Sequence, residues 1–121
     1  MNIQESNKLI AEFMGWTFHP EERETELEYI ENTWSPPNSK KIYVPHEWKF
    51  HKSWDWLMPV VDKIQEEYGD GEEHISIQPP NTCSLTPFRG ALYKSFYGKT
   101  TKQATYEAVV AFIQWYNKEL I

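Results

Sequence analysis

The sequence contains one cysteine, Cys83, in 121 residues. A single cysteine can form neither a disulfide within the chain nor a cysteine-based zinc site. The sequence also lacks a basic leader and any run of eighteen apolar residues, so it predicts neither a secretory signal nor a membrane-spanning helix. These absences predict a protein of the reducing cytoplasm.

The patterns that carry catalysis or hold metals are also lacking. The four histidines include His46 and His51, which are five residues apart with Glu47 between them and match no zinc-binding spacing. The GDG sequence at 69–71 precedes a predicted strand rather than a helix, so it is not a phosphate-binding loop. Cys83 lies in a predicted strand, where a cysteine typically packs as a small core residue. We therefore assign no catalytic residue, metal or cofactor, and favour a protein that is not an enzyme.

Basic charge is scarce and unevenly placed in a chain of net charge −6. Residues 1–32 carry eight acidic residues against two basic ones, and residues 53–73 carry seven against one. Residues 33–52 and 74–99 each carry a net charge of +3. This balance makes indiscriminate nucleic-acid binding unlikely on electrostatic grounds, because such binding needs a dominant basic field.

Helical periodicity is strongest from Ser53 to Tyr68, where apolar residues recur at steps of three and four. Pro59 lacks an amide hydrogen, so we expect a loosened first turn near Asp55. A first helix is predicted over Ile3–Phe13, with Gly15 as its stop. Its expected apolar side consists of Ile3, Leu9, Ile10, Phe13 and Met14.

A last helix is predicted from Thr100 or Thr101 to about Glu119. We expect Leu57, Val61 and Ile64 to be buried together with Val109, Phe112 and Ile113 from this helix.

Alternating and turn-flanked segments predict the strands. Residues 25–45 are expected to form a β-hairpin with a long loop, and three runs, at 74–78, 83–86 and 91–96, are expected to form an antiparallel meander. The sequence therefore predicts an α+β fold, in which an antiparallel sheet of about three to five strands packs with three helices in a single domain, 1–121.

Aromatic residues are abundant, at 16% of the chain with six tryptophans. Between Trp34 and Trp56 they alternate with lysines and histidines, a combination that suits an anionic ligand or the anchors of a protein interface. The alternative is that these rings fill the core. Trp34 and Trp48 lie off any helical stripe, so we expect at least one of them to be exposed. The candidate ligand- or partner-binding residues are Trp34, Tyr43, Trp48, His51 and Arg89.

The sequence resembles the small phage-encoded proteins of the ABA-sandwich type. The resemblance is carried by IAEFMGW at Ile10–Trp16, by WDWLMPVVDKI after Ser53, by a strand after an acidic turn, and by a terminal helix entered through Thr101 and Ala104. It implies a sheet covered by helices and a phage or prophage setting in a bacterial host cell. Because the family is one of unassigned function, it implies no catalytic residues.

These observations lead to three functional hypotheses. The first is a small phage or prophage accessory protein that binds a host protein or a small anionic ligand, for example to counter a host defence. The second is a nucleotide-processing or hydrolytic enzyme that uses His46 or His51 with a carboxylate. The third is a phage structural or assembly component, which would need a self-complementary face and allows homo-oligomers.

Overall fold

The computed structural model describes residues 2–19, 33–68, 75–85 and 94–119. Within them lie three α-helices and two antiparallel sheets, one of two strands and one of three. The predicted α+β class is therefore confirmed, with five strands in total. None of the described helices is both long and apolar enough to cross a membrane.

The elements in chain order are α1 (Ile3–Phe13), β1 (Thr17–His19), β2 (Thr33–Ser35), a 3-10 helix (Pro45–Glu47), α2 (Trp54–Tyr68), β3 (Ile75–Gln78), β4 (Thr82–Leu85), β5 (Lys94–Tyr97) and α3 (Thr101–Glu119). Contacts between residues divide the chain into unit 1, residues 1–48, and unit 2, residues 49–121. The single domain over 1–121 remains a prediction.

Helix α1 of unit 1 begins and ends where the sequence predicts. The Asn2 side chain accepts a hydrogen bond from the Glu5 N–H at 2.8 Å, which satisfies one of the free amides of the first turn. After the helix, Gly15 adopts a left-handed φ of +83°, a conformation that favours glycine, and its N–H donates to the Glu12 carbonyl.

The buried side of α1 differs from the predicted apolar side. Its buried residues are Ser6, Asn7, Ile10 and Ala11, whereas Ile3 is 53% exposed. Ile3 was expected on the buried side because it is apolar. It lies in the first turn, where Asn2 and Glu5 form the exposed cap.

Strands β1 and β2 of unit 1 pair in antiparallel register, with Phe18 opposite Trp34. Trp34 also forms an isolated bridge with Tyr43, across a turn in which Asn38 has a positive φ of 62°. In the described part of the predicted hairpin over 25–45, the structure therefore has β2, which pairs with β1, and a single bridge at Tyr43 in place of the expected second strand. The acidic first strand of that hairpin, at 25–31, lies outside the described residues.

Helix α2 of unit 2 spans Trp54–Tyr68, as predicted, with Pro59 inside it. Leu57, Val61 and Ile64 of the predicted stripe are buried. The loosened first turn that Pro59 suggests stays a prediction.

Strands β3, β4 and β5 of unit 2 form the predicted antiparallel meander, in that spatial order. The register places Ile75 opposite Leu85 and Ile77 opposite Cys83, so these apolar residues share one face of the sheet. The serines alternate with them and occupy the other face, where the Ser84 and Ser95 hydroxyl oxygens lie 3.0 Å apart.

Helix α3 covers the apolar face of this sheet and also contacts α2. The Gln103 N–H donates to Oγ1 of Thr100 at 3.1 Å. Of the two predicted N-cap residues, Thr100 and Thr101, it is therefore Thr100 that caps the helix. The predicted burial of six residues from the two helices is confirmed. They are Leu57, Val61, Ile64, Val109, Phe112 and Ile113.

Candidate functional site

Five aromatic side chains of unit 1 form a continuous cluster. The Trp48 ring contacts Trp34 and Trp16, with centroids 5.6 and 6.0 Å apart, both in edge-on geometry. Trp34 also contacts Phe18 at 4.8 Å, and Trp16 contacts Tyr43 at 5.5 Å. Edge-on and tilted pairs at these distances are the favourable arrangements for aromatic rings. The cluster is therefore a packed structural feature, and its accessible part decides what it can bind.

A groove of about 470 Å³ opens beside this cluster. Its aromatic side is formed by Phe18, Trp34 and Trp48 with Pro45, and its polar wall comes from α1. The four wall residues are Gln4, Glu5, Lys8 and Glu12. The groove lies within unit 1, and its volume falls in the range of pockets that hold small ligands or a few side chains.

The helical geometry of α1 explains why the wall is polar. At 100° per residue, the four wall residues fall within an arc of roughly 100° on the helix surface. Among the buried residues of α1, Ser6 and Ile10 fall on the opposite side, and Ala11 lies next to the edge of the wall. One side of α1 is thus buried, and the other lines the groove with charged and amide groups.

The charged groups of the wall are exposed and only weakly paired. Nζ of Lys8 lies 3.9 Å from Oε1 of Glu12, and both side chains are about half exposed. Oε1 of Glu5 accepts a long hydrogen bond of 3.4 Å from the Asn2 amide. Exposed pairs of this kind contribute about 0–1 kcal/mol, so an incoming charged ligand can displace them.

Three of the predicted site residues, Trp34, Tyr43 and Trp48, come together in the aromatic cluster. The expectation that Trp34 or Trp48 would be exposed is wrong, because they are 8% and 1% exposed. Trp34 is held by β2 pairing with Phe18 on one side and Tyr43 on the other, and Trp48 packs against its ring. Whether the three residues bind a partner stays a prediction.

Of the other two predicted residues, the structure describes His51 alone. His51 lies in unit 2, where its ring is 6.1 Å from the ring of Tyr106. Burial lowers the pKa of His51, and the neighbouring charge of Lys52 lowers it further, which favours the neutral imidazole. Arg89 lies outside the described residues.

The basic residues of the 34–56 stretch do not line the groove. Lys40 and Lys41 are exposed in the loop before Tyr43, and Nζ of Lys41 lies 5.0 Å from the centre of the Tyr43 ring. This is a cation–π contact at an exposed position. Glu47 caps the 3-10 helix by accepting the Val44 N–H at 2.9 Å.

Metal-binding and nucleophilic groups are not clustered in the part of the chain that the structure describes. No group of three histidine, cysteine, aspartate or glutamate side chains there could hold a metal ion. Cys83 is fully buried, and burial raises the pKa of its thiol, although a hydrogen bond with the Thr105 side chain opposes the shift. A buried thiol of raised pKa is a poor nucleophile.

Phe18 and the polar side of α1 are the groove residues that sequence analysis missed. Trp16 and Phe18 alternate directly after Gly15, and this period of two is the signal that predicts a short strand with both rings on one face. The wall could not be found in this way, because a polar helix side normally faces solvent.

No protein-family model, curated protein or solved structure matches the chain. The candidate site is therefore defined by its geometry. The resemblance to phage ABA-sandwich proteins depends on the sequence segments quoted above and remains a prediction.

Proposed function

We propose that this protein acts by binding, as a small accessory protein of a phage or prophage. In this proposal it engages a protein of the bacterial host through the groove of unit 1, in the host cytoplasm. The observation that supports the proposal is the groove itself, which joins an exposed aromatic ring to a wall of charged side chains. Aromatic anchors beside polar groups are typical of protein-binding surfaces.

Phe18 is the accessible part of the aromatic side. It is 45% exposed, whereas Trp34 and Trp48 behind it are nearly inaccessible. A partner would therefore contact Phe18 directly, and the two tryptophans would hold this ring in place through the Phe18–Trp34 contact. Rigid support of an exposed anchor lowers the entropy lost on binding, which favours affinity.

The described residues that line the groove include charged groups but no pair arranged for acid–base chemistry. Lys8 and Glu12 are both half exposed, and solvent screens the effect that each has on the other. Catalytic carboxylates and histidines usually need burial or a close partner to shift their pKa. The described groove therefore supports binding better than hydrolysis.

Affinity capture with matched variants tests the proposal. The tagged protein is expressed in the bacterial host, and captured proteins are compared quantitatively by mass spectrometry for the wild type, Phe18→Ala and Tyr97→Ala. Tyr97 is a suitable control because it is an aromatic residue of unit 2 that is 70% exposed. We expect Phe18→Ala to lose its partner while Tyr97→Ala retains it, since anchor truncation typically costs about 2 kcal/mol or more.

The variants must first be shown to fold. Thermal melts should give similar midpoints for the wild type and both variants, because the two side chains are substantially exposed. Equal capture by wild type and a folded Phe18→Ala variant would refute the groove as the binding site.

A further inference from the structure

The groove combines carboxylates and aromatic rings, which together attract cations. We infer that it receives two arginine side chains, three residues apart, from an extended segment of the partner protein. This inference rests on the proposed function, and it specifies the chemistry of the partner. It also differs from the sequence-based expectation of an anionic ligand, because the loop lysines behind that expectation lie outside the groove lining.

The charge of the lining favours a cation. Glu5 and Glu12 contribute two carboxylates, and Lys8 is the one basic residue among the eight described residues that line the groove. A negatively charged surface attracts a basic segment and speeds its encounter with the groove.

The spacing of the two carboxylates sets the spacing of the arginines. Glu5 and Glu12 are seven residues apart, which places them on one side of α1 with about 10 Å between them along the helix axis. An extended segment in the polyproline II conformation has three residues per turn and rises about 3.1 Å per residue, so side chains three residues apart lie on the same face, about 9 Å apart. Each carboxylate can then meet one guanidinium group.

Phe18 explains why we infer arginine rather than lysine. Its exposed ring lies in the groove lining together with the carboxylates of α1. A planar guanidinium can stack on a ring while its N–H groups donate to a carboxylate, whereas an ammonium group is compact and more strongly hydrated. A groove with both features therefore favours arginine.

Lys8 occupies the position of a competing cation. Its ammonium group lies 3.9 Å from Glu12, at the limit of an ion pair, and its side chain is 59% exposed. Removing Lys8 leaves Glu12 available to the incoming segment. The Lys8→Ala variant should therefore bind a basic segment more tightly, and it would bind an anionic ligand less tightly.

The two carboxylates should contribute unequally. Glu12 lies in the last turn of α1, near the negative end of the helix dipole, which adds to its attraction for a cation. Glu5 lies in the first turn, near the positive end, and Asn2 already donates to it. Glu12→Gln should therefore weaken binding more than Glu5→Gln.

Synthetic peptides provide the probe. The first is a capped glycine–serine peptide with two arginines separated by two residues. Three matched peptides serve as controls. One carries citrulline in place of both arginines, one carries the two arginines at adjacent positions, and one carries glutamate in place of both arginines. Fluorescence anisotropy with the full-length chain is expected to rank the spaced arginine peptide first. Its affinity should fall as salt is added, because exposed charge pairs are screened.

The protein variants give a pattern of opposite signs. Glu12→Gln should weaken binding of the spaced arginine peptide about twofold to fivefold, and Glu5→Gln should weaken it less. Lys8→Ala should strengthen binding of the same peptide about twofold to fivefold. Glu66→Gln, an exposed acid on α2 in unit 2, is the matched control and should change nothing. Failure of the spaced arginine peptide to bind better than its citrulline and glutamate counterparts would overturn the inference, as would weaker binding by Lys8→Ala.

The two proposals fail in different ways. If capture of the host partner depends on Phe18 but is unaffected by Glu12→Gln, Lys8→Ala and salt, the inference is overturned and the proposed function stands. If capture does not depend on Phe18, the proposed function itself fails.

Discussion

Trp34 and Tyr43 form two reciprocal backbone hydrogen bonds, each N–H donating to the carbonyl oxygen of the other residue at 2.8 Å. This bridge closes the loop between them, so Lys40 and Lys41 are exposed in the loop while the Trp34 ring packs against Trp48. The rings of Trp34 and Trp48 are thus buried in unit 1, whereas Lys40 and Lys41 are exposed on it.

Trp48 is predicted to be essential for the stability of the protein. It is 1% exposed and packs between two other tryptophans, so Trp48→Ala would leave a large cavity. We expect a loss of about 3–5 kcal/mol in the free energy of unfolding, measured by urea denaturation. Trp48→Phe should lose less, and Ile42→Ala, at an exposed position, should lose little. A wild-type unfolding midpoint for Trp48→Ala would contradict the buried cluster.

Phe112 is predicted to have the same role in unit 2. Its side chain is fully buried, and its ring lies 5.7 Å from that of Trp115. Phe112→Ala should cost about 3–5 kcal/mol in the free energy of unfolding. Glu107→Ala, at an exposed position of the same helix, is the control and should change stability by less than about 0.5 kcal/mol. An unchanged thermal midpoint for Phe112→Ala would disprove the packing of α3.

Gly15 is predicted to be required for its backbone conformation. Its φ is +83°, and a β-carbon added there would lie 3.6 Å from Cγ of Pro37, an ordinary contact distance. Gly15→Ala should therefore cost about 1–2 kcal/mol through backbone strain alone. Gly15→Asn should be better tolerated, because asparagine adopts left-handed conformations more readily. Equal stability of the wild type and both variants, in urea titrations, would argue against this helix stop.

His51 is predicted to make stability depend on pH. Because its pKa in the folded protein is lowered, the unfolded chain binds the proton more readily. The contribution of His51 is therefore fully present above its unfolded pKa of about 6.5, and it is lost as pH falls from there towards the folded pKa. The contribution of His51 is measured by comparing the urea midpoints of the wild type and His51→Gln at a pH above the unfolded pKa and at a pH below it. The variant should lose less stability than the wild type on acidification, and parallel losses would contradict the assignment.

The helices of this protein could be predicted from its sequence because their signals are local. In α2, the apolar residues Leu57, Val61 and Ile64 repeat at steps of three and four, and in α1 Gly15 marks the end. The environments of Trp34 and Trp48 could not be predicted in this way. Trp34 is buried because Phe18 and Tyr43 pair with it from distant positions, and such pairing leaves no periodic pattern around the tryptophan.

The candidate site shows the same difference between local and distant information. The sequence identified three residues of the aromatic cluster, Trp34, Tyr43 and Trp48, because rings are concentrated in that stretch. It assigned the accompanying charge to nearby lysines, whereas the groove wall comes from Glu5, Lys8 and Glu12, about thirty residues earlier in the chain. Only the fold of unit 1 brings that wall and the rings together.

The central claim is that the groove of unit 1 is a binding site, and nuclear magnetic resonance on the full-length, isotope-labelled chain tests it most directly. The spaced arginine peptide is added stepwise while backbone amide and tryptophan indole resonances are followed. We predict the largest shifts at Lys8, Glu12 and Phe18 and in the indole resonances of Trp34 and Trp48, with no such shifts from the glutamate peptide. Shifts confined to unit 2 or to Lys40 and Lys41 would contradict the claim, whereas equal shifts with both peptides would overturn only the preference for arginine.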